Sequence, residues 1–396
     1  MDMKHFLNNP SACFPCFILC AVLMTLGIGT GCSDSGSGPA GSPPPSETGP
    51  SLFVEGCPDS GTARSVRISR PDLRMQGPDA LGGEGDYLLM NDRAAFIVSH
   101  PDNPDSYYYY GGILVDAVAL EECRQAGPEQ YEELQPLVGK LDLADLPASS
   151  MRAFRGESIE ILNDGSTGGE ASVRVRGTDD SYWLVEYELT RMAFKEGVRR
   201  PLSQPFGLEI LVDYVLPADS PVLRIHVHFR NLLPRPQSIM PAVAHIFGST
   251  TERGLYSLLP LSIAGFNLKI GVPWITASSP DGSLAFAAHD AITSTTSISG
   301  VDAVFDLGHG LMPLQLGADG EKASSATVTY FVSVGPGDAN SAESSLHEAN
   351  PEILRGLSYE QLPVSGTAVD LSSSRPVAGA EVEIEIPSQD GWQPLH

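Results

Sequence analysis

Two histidines one residue apart, His226 and His228, are the first residues whose types and spacing could do chemistry. In an extended strand, residues i and i+2 share a face, so both imidazoles could reach one Zn²⁺. Spacing fixes no third ligand; His245 and His289 are candidates and no more. Arg224 and Arg230 fall on the same face, and two guanidinium groups oppose a nearby dication. The expectation is a polar strand face, with no metal site and no cofactor.

A second group is the run Tyr107, Tyr108, Tyr109, Tyr110, preceded by Asp102, Asn103 and Asp105. Aromatic faces stack on sugar C–H groups and carboxylates accept hydroxyl hydrogens, so this loop is the expected ligand contact. The competing reading is a Pro-bounded loop whose tyrosines cover one end of the fold. Among carboxylates, Glu186 and Glu188 share a strand face, as do Glu209 and Asp213 at wider spacing. A glycosidase pair needs a separation of about 5–9.5 Å, which position along a strand does not set. Asp86 and Asp116 are expected as turn and strand-end groups. The chain has no serine nucleophile elbow, no G-x-x-x-x-G-K-S/T loop and no H-E-x-x-H. No catalytic residue is assigned.

The elements that must position these residues read as strands. Leu208, Ile210, Val212, Tyr214 and Leu216 fall on one face of a first strand. After the turn Pro217–Pro221, Leu223, Ile225, Val227 and Phe229 alternate with Arg224, His226, His228 and Arg230, and Asn231 closes the pair. That period of two gives one buried and one polar face. Gly85 to Ala117 opens the folded part with two apolar runs flanking the tyrosine loop. Further strands are expected at Arg64–Ser69, Ser158–Leu162, Ala171–Arg176, Tyr182–Leu189, Ile239–Phe247, Ser283–Ala288, Ala303–Leu307 and Ala326–Val334. Turns are expected at Asn163-Asp164-Gly165 and at Gly177-Thr178-Asp179-Asp180. Glu129 to Leu146 is acidic and Leu-rich, and reads as loop with a helical turn. Many strands, 40 Gly, 32 Pro and almost no helical period predict an all-β protein: a large antiparallel β-sandwich, with a mutarotase-like supersandwich as one form of it.

The net charge of −25 excludes a nucleic-acid partner, which needs clustered Lys and Arg. Lys4 and His5 precede an apolar run from Cys16 to Ile28, too short for an ordinary membrane span and of signal-peptide size. Small residues then lead to Cys32, and Ser33 to Ser51 is a flexible Ser/Gly/Pro tether. Cys13, Cys16 and Cys20 leave with the signal. Cys57 and Cys123 remain, and in an oxidising compartment they can pair; two free thiols are the alternative.

The segment before Cys32 resembles a bacterial lipobox, with Gly29 where Leu is usual; this implies lipidation at Cys32 and a membrane partner through that anchor. Gly366, Val369, Asp370, Pro376, Val377, Gly379, Ala380 and Val382 resemble the start of a carboxypeptidase regulatory-like domain, a transthyretin-like sandwich; the expectation is either a truncated domain or two strands that pack on the main body. Gly85-Asp86-Tyr87-Leu88-Leu89 with Asn91-Asp92 and Gly111-Gly112-x-Leu-Val-Asp116 resemble the N-terminal region of large bacterial envelope proteins. Those end in a metallohydrolase of the CehA/McbA type, within the PHP group. PHP enzymes carry a His-x-His beside acidic residues at the start of a catalytic domain, whereas His226-Val-His228 sits mid-strand. The expected organisation is a signal peptide (1–31), a tether (32–51), a large β-sandwich (52–336), a helical connector (337–363) and an incomplete regulatory-like domain (364–396). The expected function is a lipid-anchored or secreted, periplasmic or cell-surface module without catalysis of its own, binding a glycan or a protein. A polysaccharide-acting sandwich enzyme and a purely structural surface protein are the alternatives.

Overall fold

The computed structural model describes residues 57–77, 79–104, 110–129, 131–140, 150–182, 204–247, 252–255, 259–263, 266–272, 274–279, 282–289, 293–298, 303–307, 313–337, 339–351, 385–388 and 391–394. Eleven strands come first: β1 (Arg64–Arg67), β2 (Tyr87–Met90), β3 (Ala94–Val98), β4 (Leu114–Glu121), β5 (Arg124–Gln125), β6 (Tyr131–Lys140), β7 (Ser150–Asn163), β8 (Ala171–Ser181), β9 (Leu208–Leu216), β10 (Val222–Asn231) and β11 (Gln237–Phe247). Shorter ones follow: β12 (Glu252–Leu255), β13 (Leu259–Ile263), β14 (Phe266–Val272), β15 (Ile275–Ser279), β16 (Gly282–Ala288), β17 (Thr293–Ile298), β18 (Ala303–Leu307) and β19 (Leu314–Leu316). The long β20 (Ser325–Gly335) and helix α1 (Ala339–Ala349) complete this unit.

The protein is all-β, and its strands pair antiparallel. One run of neighbours is β6–β7–β8–β9–β10–β20–β16–β15–β12. Another is β6–β11–β18–β17–β14–β13. The hairpins β1–β2–β3–β4 join at β6 through Leu114 opposite Leu134. β1 and β2 pack against β8, and β4 against β16 and β20, across one apolar core. The Tyr214 hydroxyl crosses that core to donate to the Gly112 carbonyl at 3.1 Å.

The alternation that marks β9 and β10 in the sequence is the core itself. Leu208, Ile210, Val212, Tyr214 and Leu216, and opposite them Leu223, Ile225, Val227 and Phe229, are all buried. Burial of a large apolar side chain contributes about 1.5–3 kcal/mol, so these nine residues fix the register by themselves. A one-residue slip would bring the arginines and histidines inside. Asparagines clamp both ends of the hairpin. Asn91, in the β2–β3 turn, donates to Pro217 O and Ser220 O at 2.9 and 2.8 Å. Asn231 donates to Arg235 O and Gly317 O at 2.8 and 2.7 Å. Gly165 takes φ 81° in the β7–β8 turn, a backbone conformation suited to glycine.

Two local expectations are corrected. The segment read as loop with a helical turn from Glu129 is strand β6, paired with β11 along most of its length and with β7 at its end. Glu133 and Gln135 are buried inside it, and Gln135 satisfies its amide by donating to Pro136 O and Phe154 O. Buried polar residues thus broke the alternation that would have marked a strand. The turn expected at Gly177–Asp180 is also strand, since β8 continues to Ser181. The acidic pair tolerates this because the buried Arg152 guanidinium donates to Asp179, whose oxygens also accept the Phe206 and Leu208 amides at 2.7 and 3.2 Å. The expected strand Tyr182–Leu189 lies outside the described residues after Tyr182.

Residues 354–396 form a separate unit. Its described part is a hairpin of β21 (Glu385–Ser388) and β22 (Gly391–Pro394). The residues that carry the regulatory-like resemblance, 366–382, lie outside the described ones. Among the described residues, no helix is long and apolar enough to cross a membrane.

Candidate functional site

The outer face of β8, β9, β10 and β20 assembles the site. Inward Val173 and Val175 force Arg174 and Arg176 outward on β8, and the same alternation turns Glu209, Asp213, His226, His228 and Arg230 to that side. Register then sets them in rows. Arg174, Asp213, His226 and Thr329 form one row across four strands. Arg176, Leu211, His228 and Thr327 form the next, and Thr178, Glu209, Arg230 and Ser325 the third.

Hydrogen bonds run along the rows, and two, His228 to Asp213 and Arg176 to Glu209, cross between them. Arg174 Nε and an Arg174 terminal nitrogen each donate to Asp213 at 2.6 Å, a bidentate pair. His228 Nε2 lies 3.2 Å from Asp213 Oδ2, and His228 Nδ1 lies 2.8 Å from Thr327 Oγ1. A carboxylate only accepts, so Nε2 carries the proton here, and in the neutral ring Nδ1 accepts from the Thr327 hydroxyl. His226 Nδ1 pairs with Thr329 Oγ1 at 2.9 Å. Glu209 accepts from Arg176 at 2.6 Å and from Arg230 at 3.5 Å, and Arg230 reaches Asp319 at 3.2 Å.

The electrostatics follow from these contacts. Burial alone would raise the Asp213 carboxyl, but the hydrogen bonds and charges of Arg174 and His228 outweigh it and hold it down to about 2. Burial, aided by the neighbouring His228, pushes the His226 ring below the usual range. A shallow depression of about 260 Å³ lies over the rows, lined by Arg174, Glu209, Leu211, His228, Arg230 and Thr327 among others. It is smaller than the roughly 300–1,000 Å³ typical of enclosed ligand pockets. The surface presents donors and acceptors around the apolar Leu211, Phe229 and Ala326.

Other sequence candidates are placed differently. His245 is not on this face: on β11 it is fully buried against the Phe286 ring, 4.1 Å between centroids, with the Tyr131 hydroxyl 3.2 Å from Nδ1. Burial pushes it down to about 3. It is a neutral core residue and cannot complete a three-histidine set. His289 lies beside Phe331. Among the described residues no three His, Cys, Asp or Glu side chains are arranged to hold a metal. Tyr110 donates its hydroxyl to Ser181 O at 3.0 Å, and Asp102 is exposed beside His100. Asp105, Tyr107, Tyr108 and Tyr109 lie outside the described residues, as do Glu186, Glu188 and Cys32.

Asp86 and Asp116 organise loops. Asp86 accepts the Gly83 and His100 amides at 2.7 Å each and the Asn103 side chain at 3.1 Å. Asp116 accepts the Leu81 and Gly82 amides at 2.8 and 2.9 Å. A disulfide joins Cys57 to Cys123, with Cα atoms 5.9 Å apart. Arg174, Arg176, Asp319, Thr327 and Thr329 are site residues that sequence reasoning missed. The signal for Arg174 was present in the apolar alternation Val173, Val175; the threonines needed the pairing of β10 with β20.

No family model and no curated protein matches this chain. Solved structures similar to it include the Slr1438 protein of Synechocystis sp. PCC 6803, 12% identical over 63% of this chain and 95% of that one, TM-score 0.39. A galactose mutarotase related enzyme from Lactobacillus acidophilus is 9% identical over 64% and 98%, TM-score 0.34. A GH36 α-galactosidase from Geobacillus stearothermophilus is 9% identical over 66% of this chain and 42% of that one, TM-score 0.41.

Proposed function

We propose that this protein is an exported β-sandwich module that binds a hydroxyl-rich ligand, a glycan, on the outer face of β8, β9, β10 and β20 without breaking it. The observation that carries this reading is the self-satisfied chain Arg174–Asp213–His228–Thr327. Its carboxylate is engaged by a guanidinium and an imidazole, and both nitrogens of His228 are occupied. General acid–base work needs a group that can take or give a proton near the working pH. Asp213, held down to about 2, is a weak base. Such a network suits recognition instead: fixed donors and acceptors meet ligand hydroxyls with little ordering left to lose.

The apolar N-terminal run, Cys32 and the Ser/Gly/Pro tether support export and lipid anchoring to a bacterial envelope membrane. The Gly-Asp-Tyr and Gly-Gly-x-Leu-Val-Asp elements support kinship with the envelope proteins that carry a terminal metallohydrolase. In that setting the module would position its ligand for a partner domain.

A panel of neutral and acidic oligosaccharides, tested against the purified protein for both binding and turnover, decides the matter. Saturable binding that His228→Ala weakens about tenfold or more, with no product formed, is expected. Product formation abolished by His228→Ala would establish the enzymatic alternative, which the His228–Asp213 contact keeps in view.

A further inference from the structure

Residues 74–77 and 79–83 lie over two carboxylates inside the fold and form a strap. Asp116 and Glu129 are both 0% exposed. Asp116 holds one end of the strap through the Leu81 and Gly82 amides. The other end is held at Gln76, which exchanges hydrogen bonds with the Gln125 side chain at 2.8 and 2.9 Å and accepts the Glu129 amide at 2.8 Å. Between them Gly77 sits so close that a Cβ there would overlap the Glu129 backbone. The strap also borders a cavity of about 710 Å³, lined by Arg74, Gln76, Leu81, Gly82, Glu84 and Asn103 among others.

Glu129 has half its hydrogen bonds. Oε1 accepts the Tyr131 and Ala117 amides at 2.7 and 3.3 Å, while Oε2 is buried with no partner. Asp79 Oδ2, on the strap, is buried in the same state. The groups acting on Glu129 are Asp116 from β4, Asp79 from the strap and Tyr131 from β6, whose hydroxyl meets His245 of β11. Asp86, just before β2, acts on Asp116. None of these acidic neighbours is cationic. An ionised carboxylate buried without a counter-charge costs several kcal/mol, and a proton on the carboxyl relieves that cost.

We infer that the strap is a proton-dependent latch, closed while Glu129 holds a proton on Oε2 and released as Glu129 ionises. Desolvation, then the Asp116 charge, pushes Glu129 well above the carboxylate range, and desolvation pushes Asp116 up to about 7. Groups raised in the closed state stabilise it fully below their ordinary, open-state range. That stability is lost as pH rises through the closed-state values. Each proton lost on opening favours the open form about tenfold per pH unit.

Amide hydrogen exchange at Leu81 and Gly82 reads the latch directly. After correction for the intrinsic base-catalysed rate, opening is expected to rise at least about tenfold per pH unit between pH 5 and 7. Glu129→Gln keeps the shape and removes one ionisation, so its slope should fall by about a factor of ten per unit. Should that variant not fold, infrared titration of the unmodified protein gives the same answer: a carboxylic-acid carbonyl band present at pH 6 that vanishes as exchange accelerates. Flat exchange across this window, a Glu129→Gln slope equal to that of the unmodified protein, or no acid band at pH 6 would overturn the latch.

Discussion

His228 Nε2 lies 3.2 Å from Asp213 Oδ2, while Arg174 grips both oxygens of that carboxylate at 2.6 Å. A histidine beside a carboxylate is the pairing a general base uses, yet here the carboxylate belongs first to the guanidinium. The imidazole is oriented by Asp213 and Thr327 together, and the four residues come from four strands. The face is a fixed hydrogen-bonding surface, and its stability and the recognition proposed for it would depend on the same contacts.

Removing the guanidinium should show in acid. The folded Asp213 is depressed from 3.8 to about 2, so its stabilisation is present above the unfolded value and lost as pH falls through the folded one. That linkage is worth about 2 kcal/mol at neutral pH. Arg174→Met should lower stability at pH 7 and flatten the fall in stability between pH 4 and 2, with His228 keeping part of the effect. Urea unfolding at a series of pH values measures both.

Asn231 closes the end of β10 with four hydrogen bonds: its amide donates to Arg235 O and Gly317 O, and its carbonyl accepts the Leu233 amide and the Gln237 side chain. Asn231→Ala leaves buried partners unsatisfied and should cost about 3 kcal/mol, against less than about 0.5 kcal/mol for an exposed change such as Lys322→Ala. Chemical denaturation separates the two.

Gly165 combines φ 81° with a position where a Cβ would overlap the Ala63 carbonyl. Gly165→Ala should therefore destabilise by about 1–3 kcal/mol through backbone strain and displacement of the chain before β1. A lowered thermal midpoint, with loss of amide protection at Ser65, whose N–H donates to Asp164 O, is the expected signature.

The Cys57–Cys123 bridge spans 66 residues. In the chain-entropy account, closing such a loop stabilises by about 4 kcal/mol. Reduction, or Cys57→Ser with Cys123→Ser, should lower the denaturant midpoint and steepen the slope as the denatured chain, freed of the loop, exposes more surface. Parallel unfolding curves with and without reductant make that comparison.

The legible parts of this fold are those written locally. Leu208 to Leu216 and Leu223 to Phe229 announce their faces by strict alternation, Asn231 marks a strand end, and Asn163-Asp164-Gly165 is the turn it looks like. β6 was hidden because the polar residues Glu133 and Gln135 are buried, Gln135 by donating to Phe154 O on β7, which no local period records. The site was half legible. His226, His228, Glu209 and Asp213 stand out by type, but Arg174 is 39 positions from Asp213 and Thr327 is 99 from His228. Only the pairing of β8, β9, β10 and β20 brings them together. His245 misled for the opposite reason: a histidine among apolar residues on β11 is a core residue, and its neutral state follows from burial.

The most direct test of the proposed binding face follows the imidazole signals of His226 and His228 by NMR while soluble oligosaccharides are added to the intact protein. A saturable shift of the His228 ring, absent in Arg174→Met, with the His245 signals unmoved, is the predicted result. Binding by the same protein that leaves both His226 and His228 unshifted at saturation would contradict it.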